Sequence, residues 1–354
     1  MLTTNVSQIS ADLLSIHKNL TAKYTFMQQL PYWIFSESYG GKMTANFGVA
    51  LYDAIANGDI SMNLQGVTLG DSWISGIDYV NTWPAYLYAL TLIDNQQYEE
   101  LTATANECQE AVNKGEWLNA TNIWGQMEGQ ASNYTNNVDW YYVLQFDFSQ
   151  QPVTMNSVPQ MQRPVVGNIS RANSNIDILR YTHLHYIDKY LNRKHGHYYG
   201  AYGGGVNESQ IQYIMNGPVK QQLAVIPANV TWGGQSDAVF TAQEEDFMKP
   251  VVDDVDTLLA NGVTVNVWNG QLDLICCTLG TLEWLQNIQW KYKDEWHTSS
   301  KVGVKDPAGT DIAYFKKEYL QLRMYYMMKA GHMVPADNPV AALMGVCDVT
   351  GVPY

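Results

Sequence analysis

The chain has 354 residues, of which 46% are hydrophobic and 15% charged, so it can bury a sizeable core as one domain with an insertion or as two domains. Its net charge of −14 disfavours nucleic acids and anionic membranes as partners, because binding to phosphate needs a basic surface. No stretch of the sequence has the continuous apolar length of a transmembrane helix, so no membrane span is predicted.

The amino-terminal part of the chain alternates between helix and strand patterns. Apolar residues at helical spacing predict a helix over residues 7–29, and the wholly apolar run 32–35 predicts a buried strand. Helical spacing returns over 43–55, and a second short strand is predicted over 64–69. This order of elements is typical of an open, mostly parallel sheet in an α/β protein.

The middle of the chain, residues 86–232, is polar and rich in Asn, Gln and Tyr. Segments 99–112 and 175–191 have the spacing of amphipathic helices. We interpret this region as a mainly helical cap that is inserted into the sheet domain. Residues 1–85 and 233–354 would then form the α/β core.

Sheet-forming patterns return toward the carboxyl terminus. They predict an amphipathic helix over 247–260 and strands over 263–268 and 319–328. Two loops, 269–273 and 329–332, directly follow these strands. Because ligands of open parallel sheets bind beyond the carboxyl ends of the strands, we expect both loops to lie at the functional edge.

A candidate nucleophile lies between the first predicted strand and the helix that follows it. The sequence from Ser36 to Gly41 is SESYGG, with Ser38 at its centre. Small neighbours allow the sharp strand-to-helix turn that presents a nucleophilic serine, for which the usual pattern is Gly-x-Ser-x-Gly. Ser36 takes the place of the first glycine. An ordinary tight turn is the alternative interpretation of this segment.

Two further residues complete a candidate catalytic triad. A serine hydroxyl needs a base to take its proton, and the base needs a third group to orient it. Asp273 and His332 follow Ser38 in the order Ser, Asp, His that α/β-hydrolases use, and each lies just beyond a predicted strand. His332 is one of only seven histidines. Three suitable residues in this order, on these element ends, favour a serine hydrolase.

Four histidines in the middle region form a rival cluster. His183, His185, His195 and His197 make two His-x-His pairs, which can bind zinc. No acidic or cysteine ligands nearby complete such a site, and no C-x-x-C pair occurs. We therefore predict no metal site and no cofactor, and place these histidines on the surface of the cap.

Three segments of the sequence resemble the signature blocks of the serine carboxypeptidase family, whose members are α/β-hydrolases. These segments are Phe35–Lys42 (FSESYGGK), Asn269–Ile275 (NGQLDLI) and Ala330–Pro335 (AGHMVP). Gly70–Ile74, Trp232–Gln235 and Asp246–Pro250 look most like the retinoid-inducible branch of that family. The similarity extends from about residue 32 to the carboxyl terminus and implies an α/β-hydrolase sheet with an inserted helical cap.

The resemblance implies the release of carboxyl-terminal residues from peptides through an acyl-enzyme. Ser38 would attack the carbonyl carbon, His332 would carry the proton, and Asp273 would orient His332. The partners implied are peptide substrates with a free carboxyl terminus.

Four other residues match family positions around this triad. The backbone N–H of Tyr39 would be an oxyanion donor. Glu37 matches an acidic residue that helps to hold the substrate carboxylate, and a protonated carboxyl suits that role because an ionised one would repel the substrate. This favours activity in acid. Cys276 matches a position in the pocket for the residue before the scissile bond, and Met333 lies on the leaving-group side.

The resemblance also raises an expectation about the amino terminus. Members of the family carry, before the nucleophile, a signal peptide, the first half of the sheet and a glycine-rich loop that supplies a second oxyanion donor. None of these is present in this sequence, so we expect the strand over 32–35 to be an exposed apolar edge that is prone to association. A homodimer is one outcome of such association. Impaired or absent activity of this chain is a second expectation.

The Asn-x-Ser/Thr sequons favour a secretory route. They occur at Asn5, Asn19, Asn119, Asn133, Asn168, Asn207 and Asn229. Together with the resemblance they imply a secreted or lysosomal location for the full-length family form, although no signal peptide is recognisable in this sequence. Four cysteines permit three disulfide pairings, and the sequence leaves these open.

Two other functions stay open alongside the carboxypeptidase. An esterase or acyltransferase would use the same triad on a different acyl group. A non-catalytic binding or scaffolding protein would use the fold alone, and the absent oxyanion loop favours that alternative.

Overall fold

A six-stranded sheet organises the larger part of the chain. The structure is a computed structural model that describes residues 2–146, 212–233 and 236–353. The strands are β1 (Pro31–Glu37), β2 (Asn63–Gly70), β3 (Thr264–Gly270), β4 (Lys301–Lys305), β5 (Ile312–Tyr319) and β6 (Leu322–Met327). They lie in the order β1-β2-β3-β6-β5-β4. The first four strands of this order are mutually parallel, while β6, β5 and β4 pair antiparallel.

Helices cover most of the remaining described residues. They are α1 (Val6–Lys23), α2 (Tyr39–Ala56), α3 (Gly76–Ala89), α4 (Asn95–Asn113), α5 (Trp117–Tyr134), α6 (Lys220–Leu223), α7 (Asp237–Phe247), α8 (Val252–Ala260), α9 (Thr278–Asn287), α10 (Lys293–Thr298), α11 (Val334–Asp337) and α12 (Pro339–Thr350). A short 3₁₀ turn covers Thr25–Gln28, and a π-helical turn covers Met215–Val219. None of the helices in the described ranges has both the length and the apolar character of a membrane-spanning helix.

The parallel register brings the carboxyl ends of four strands to one edge of the sheet. Glu37 lies opposite Gly70, and Gly70 lies opposite Trp268. Gly270, at the end of β3, lies opposite Met327 at the end of β6. The loops that follow β1, β2, β3 and β6 therefore begin side by side.

The predicted strands correspond to β1, β2, β3 and β6, although β1 is exposed or half-buried instead of buried, and the antiparallel β4 and β5 were not predicted. Two predicted elements also differ in their bounds. The predicted helix over 247–260 is shortened to α8, because Pro250 lacks an N–H and keeps the preceding residue out of the helical region; α7 ends at Phe247. The predicted strand over 319–328 is shortened to β6. Leu320, with φ of 46°, turns the chain instead, between β5 and β6.

Two apolar clusters hold helices against the sheet. Phe47, Leu51 and Ala54 of α2 pack with Ile60 and Met62, against side chains of α1, β1 and β2. The second cluster joins β3, β5 and β6 to α12, and its largest buried members are Trp268, Tyr314, Tyr325 and Met327. Burial of apolar surface on this scale is the main stabilising contribution to such a fold.

The chain divides into two compact units, Met1–Gln151 with Gln243–Tyr354, and Pro152–Ala242. Helices α3, α4 and α5 belong to the first unit, together with the sheet. The predicted helix over 99–112 lies within α4, and the one over 175–191 lies outside the described residues. The boundaries predicted for a cap over 86–232 stay a prediction.

Strand β1 is an edge strand within the described part of the chain, where it pairs with β2 alone. Its side chains are exposed or half-buried along its whole length, and Phe35 is 41% exposed. The four cysteines, which all lie in described ranges, are unpaired. Cys108, Cys276 and Cys277 are buried as thiols.

Candidate active site

Ser38 occupies a sharp turn between β1 and α2. Its backbone has φ of 59° and ψ of −131°, a conformation that a non-glycine residue holds only when its surroundings enforce it. Here the Ser38 N–H donates to the Gly70 carbonyl at 3.0 Å, and the Ser38 carbonyl accepts from Gly41 at 3.0 Å and from Trp73 at 2.9 Å. The turn is therefore fixed on three sides, as expected of a turn that presents a nucleophile.

Asp273 and His332 form a buried pair at the same edge of the sheet. Nδ1 of His332 lies 2.9 Å from Oδ2 of Asp273, and the two residues are 2% and 0% exposed, respectively. An ionised carboxylate can only accept hydrogen bonds, so Nδ1 carries the proton and its N–H donates the hydrogen bond to Asp273. The lone pair of the neutral imidazole is then on Nε2. That atom is buried and has no hydrogen-bond partner among the described residues.

The backbone holds this pair in place. The N–H of His332 donates to the Tyr141 carbonyl at 2.8 Å, and the edge of the Tyr141 ring packs against the imidazole with centroids 4.8 Å apart. The N–H of Asp273 donates to the Gly270 carbonyl at 3.3 Å. His332 is thus fixed by the segment that follows α5, and Asp273 is fixed by the end of β3.

Charge around His332 favours its protonated form. Burial, the largest single effect, lowers the pKa of His332, whereas the Asp273 carboxylate and the more distant Glu37 and Asp139 raise it. Together they place the pKa of His332 above its ordinary value. The imidazolium is therefore stabilised by its surroundings, as a base that stores a proton during catalysis requires.

Glu37 precedes Ser38, and its pKa is affected by the charges of His332 and Asp273. Burial, followed by the negative charge of Asp273, raises the pKa of Glu37, and the positive charge of protonated His332 lowers it, with a net rise. These interactions place Glu37 within electrostatic reach of the Asp273–His332 pair. A carboxyl whose pKa is raised in this way keeps its proton, and so can donate a hydrogen bond, to a higher pH than an ordinary glutamic acid.

The remaining sequence-predicted site residues are Tyr39, Met333 and Cys276. Tyr39 is the first residue of α2, so its N–H belongs to the helix end, where no intrahelical partner exists. Met333 directly follows His332 and is half-buried. Cys276 is fully buried, and its sulfur lies within 4.8 Å of one ligand atom each from Asp273 and His332.

The cluster of Asp273, Cys276 and His332 is the one group of three potential metal ligands in the described ranges. Metal binding by cysteine requires the thiolate, and burial raises the pKa of Cys276 well above its ordinary value. Asp273 and His332 also bond to each other directly. The donors at this position therefore suit proton transfer better than metal coordination. The four histidines of the rival cluster lie outside the described residues.

Two acidic residues that the sequence patterns did not single out belong to this region. Asp71, which directly follows β2, accepts a hydrogen bond from the Gly270 N–H at 2.7 Å through Oδ1. Asp246 binds the Tyr39 hydroxyl and the buried Lys42 ammonium, both at 3.2 Å. Asp71 had a detectable signal, since it stands at the carboxyl end of a predicted strand. Asp246 begins a segment that resembles the family branch, but no local pattern indicated its partners, because they are more than 200 residues away in the sequence.

Comparison with known proteins identifies the family. Residues 2–349 match the family described as serine carboxypeptidase. The retinoid-inducible serine carboxypeptidase of Mus musculus is 36% identical over 340 residues, which cover 96% of this chain and 68% of that protein. Serine carboxypeptidase-like 51 of Arabidopsis thaliana is 33% identical over 346 residues, covering 98% of this chain and 70% of that protein.

A solved structure shows the same fold. The crystal structure of Kex1(delta)p, a prohormone-processing carboxypeptidase from Saccharomyces cerevisiae, superposes with a TM-score of 0.70 and 17% sequence identity, covering 99% of this chain and 68% of that one. The predicted α/β-hydrolase fold is thereby confirmed, as are the predicted family resemblance and the class of serine-type carboxypeptidase. This chain belongs to the serine carboxypeptidase family.

Proposed function

We propose that the chain releases carboxyl-terminal residues from peptides, with Ser38, His332 and Asp273 as its catalytic triad. The observation that carries the proposal is the 2.9 Å bond between Nδ1 of His332 and Asp273, which leaves Nε2 without a partner among the described residues. The turn that holds Ser38 begins at the same edge of the sheet. No hydrogen bond joins Ser38 to Nε2, but such bonds are often loose before substrate is bound.

The reaction proceeds in two steps. In the first, the Ser38 oxygen attacks the carbonyl carbon of the last peptide bond while Nε2 of His332 accepts the hydroxyl proton. Asp273 stabilises the imidazolium, which then protonates the leaving amine, and the carboxyl-terminal residue departs. In the second step water attacks the acyl ester on Ser38, and His332 takes a proton from the water and returns it to the serine oxygen.

The oxyanion formed in each step is stabilised at the start of α2. Tyr39 directly follows Ser38, and its N–H lies at the amino-terminal end of α2, where the partial charge of the helix is positive. One well-placed donor of this kind typically raises kcat by a factor of about 10²–10³.

Selection for a free carboxyl terminus rests on Glu37. Since burial raises its pKa, Glu37 is protonated in acid and donates a hydrogen bond to the substrate carboxylate. As the pH rises through the pKa of Glu37, the ionised side chain repels the substrate instead. Cys276 would line the pocket for the residue before the scissile bond, and Met333 would contact the departing residue.

A secreted or lysosomal location follows from the same proposal. An acid optimum suits an acidic compartment, and three sequons of the first compact unit, at Asn19, Asn119 and Asn133, are exposed and available for glycosylation. Treatment of the protein from a secretory host with an endoglycosidase should lower its apparent mass. An unchanged mass would count against this location.

Active-site titration tests the triad. A fluorophosphonate should label the native chain stoichiometrically at Ser38, and S38A should not be labelled. S36A is the matched control, because Ser36 lies two residues away in the same segment and should leave labelling unchanged. Absent labelling of the native chain would favour a non-catalytic role, and partial labelling would support the expectation of impaired activity.

A pair of peptides tests the substrate class. A peptide with a free carboxyl terminus should be shortened, whereas its carboxyl-amidated twin should largely resist. Equal turnover of the two peptides would reject a carboxypeptidase, and turnover of simple esters alone would favour the esterase or acyltransferase alternative.

A further inference from the structure

Asp71 is a buried carboxyl group at the functional edge of the sheet that the triad mechanism does not use. It is 1% exposed and directly follows β2. Its backbone has φ of 40°, and its N–H donates to the Trp268 carbonyl at 2.8 Å. Its Oδ1 accepts from the Gly270 N–H at 2.7 Å. The Asp71 side chain is thus bonded to Gly270, which ends β3 and precedes Asp273 by three residues.

Asp273 lacks one donor that its charge requires. Oδ2 accepts from His332, but Oδ1 is buried and has no hydrogen-bond donor among the nitrogen and hydroxyl groups of the described residues. A buried carboxylate oxygen without a donor is costly, and the cost is larger for a charged group. Asp71 is held beside Asp273 by Gly270, whose N–H donates to Asp71 and whose carbonyl accepts from the Asp273 N–H. The charge of Asp273 and a side-chain hydrogen bond to it both act to raise the pKa of Asp71. Two ionised carboxylates cannot hydrogen-bond to each other, so a bond between Asp71 and Asp273 requires a proton on one of them.

The surroundings decide which of the two is protonated. Asp71 faces Asp273, Glu37 and the Cys276 thiol, none of which is a cation, and His332 lies beyond Asp273. Burial, followed by the negative charge of Asp273, raises the pKa of Asp71 well above its ordinary value, although the Gly270 N–H acts in the opposite direction. Asp273, by contrast, bonds directly to His332, which stabilises a negative charge on it.

We propose that Asp71 is a positioning residue that stays protonated in the resting site and donates its O–H to Oδ1 of Asp273. This bond fixes the plane of the Asp273 carboxylate, so that Oδ2 faces Nδ1 of His332. Asp71 thereby acts on the base through a second carboxyl group without touching the substrate. The inference rests on the proposed triad mechanism.

Two substitutions separate this role from a purely structural one. D71N keeps an acceptor for Gly270 and supplies a permanent N–H donor to Asp273, so it reproduces the protonated acid. D71G removes the side chain, and glycine tolerates the φ of 40° without strain. The measurement is the second-order rate constant for fluorophosphonate labelling of Ser38, from about pH 4 to about pH 9, with thermal melting of each variant alongside.

D71N should retain the native labelling rate within about threefold. The midpoint of the acidic side of its pH–rate profile should also be unchanged, since replacing a neutral acid with a neutral amide leaves the charge around His332 the same. D71G should label roughly 10- to 100-fold more slowly, which is the usual cost of removing a partner that orients a site residue. Rescue by the amide but not by glycine is the expected signature.

Two results would overturn the inference. If the acid limb of D71N moves down by about one pH unit or more, Asp71 carries a negative charge in the native protein and cannot be the donor. If folded D71G labels at the native rate, the bond does not position Asp273. Where thermal melting shows that D71G is unfolded, the midpoint of the pH–rate profile of D71N alone tests the inference. If the native chain is not labelled at all, the proposed function fails independently of this inference. In that case NMR titration of the His332 ring tests the inference, since its midpoint in D71N should equal that in the native protein.

Discussion

The two halves of the site are held in different ways. The proposed acid–base half, Asp273 and His332, follows the interior strands β3 and β6 and is almost completely buried. The proposed nucleophile half, Ser38, follows β1, which within the described residues is an edge strand and only partly buried. A proton relay benefits from a dry, rigid setting, whereas a nucleophile must remain accessible to a peptide. The difference in burial therefore matches the division of chemical roles.

Glycine contacts show the same contrast. A Cβ on Gly270 would lie 2.0 Å from the Gly331 carbonyl oxygen, and one on Gly331 would lie 2.0 Å from that of Tyr141. The acid–base loops therefore pack backbone against backbone, which leaves nothing flexible to move aside. A Cβ on Gly41, beside the nucleophile, would meet mainly the Ser72 side chain, at 2.0 Å.

The nucleophile half depends instead on a buried ion pair. Lys42 of α2 is fully buried, lies 3.2 Å from the Asp246 carboxylate and donates to the Asp246 backbone carbonyl. The same carboxylate accepts from the Tyr39 hydroxyl and from the Val6 N–H, both at 3.2 Å. Burial lowers the pKa of Lys42 to about 8, while Asp246 opposes that change. This network links the helix that begins at the nucleophile to α1 and α7.

The largest expected effect is on the acid–base half. D273N should lower kcat by about 10⁴-fold, because an amide can donate to Nδ1 and so favours the wrong tautomer of His332. D53N, which changes an exposed aspartate of α2, is the matched control and should retain native kcat. The measurement is the steady-state rate on a peptide with a free carboxyl terminus. A loss smaller than about tenfold would remove Asp273 from the triad.

Breaking the ion pair should have the next largest effect. D246A leaves the Lys42 charge buried without a partner and should lower the free energy of unfolding by about 3–5 kcal/mol, measured by urea denaturation. The double variant K42M/D246L should recover most of that loss, since an apolar pair of similar size removes the unpaired charge. A double variant no more stable than D246A would show that the network does not act through charge.

A smaller effect is expected at the nucleophile turn. G41A should lower the free energy of unfolding by about 1–3 kcal/mol, because the added methyl overlaps Ser72. G40A is the control in the same turn, where the nearest atom to an added Cβ is that of Ser36 at an ordinary 3.4 Å. Thermal melting compares the two variants. Equal melting temperatures would contradict the close packing of this turn.

The smallest effect concerns substrate binding by Glu37. Because the pKa of Glu37 is raised, its protonated form persists in acid and is lost as the pH rises through that pKa. KM for a free-carboxyl peptide should therefore rise roughly tenfold toward neutral pH in the native protein and stay flatter in E37Q, which donates at every pH. KM for the amidated twin should change little in either protein. Parallel pH profiles for native protein and E37Q would exclude the role of Glu37.

Patterns in the sequence predicted much of the fold and of the candidate site. The apolar runs of β1 and β2 and the short glycine-containing turns that follow them indicated a parallel sheet, and Asp273 and His332 were recognised because they stand just beyond strands. The antiparallel β4 and β5 were not predicted. Lys301–Lys305 is a short, mainly exposed strand without a strong apolar signal. Pro250 interrupts the helix predicted over 247–260, as its missing N–H requires.

What the sequence by itself determined is the set of local preferences: where helices and strands form, and in which chain order Ser38, Asp273 and His332 follow strands. What only the tertiary structure decided is which charged groups meet in the interior. Lys42 and Asp246 are 204 residues apart, and Asp71 and Gly270 are 199 residues apart, yet each pair is in contact. Local patterns arise from backbone sterics and apolar periodicity over a few residues. The protonation of a buried carboxyl depends on the dielectric and the charges that distant segments bring to it.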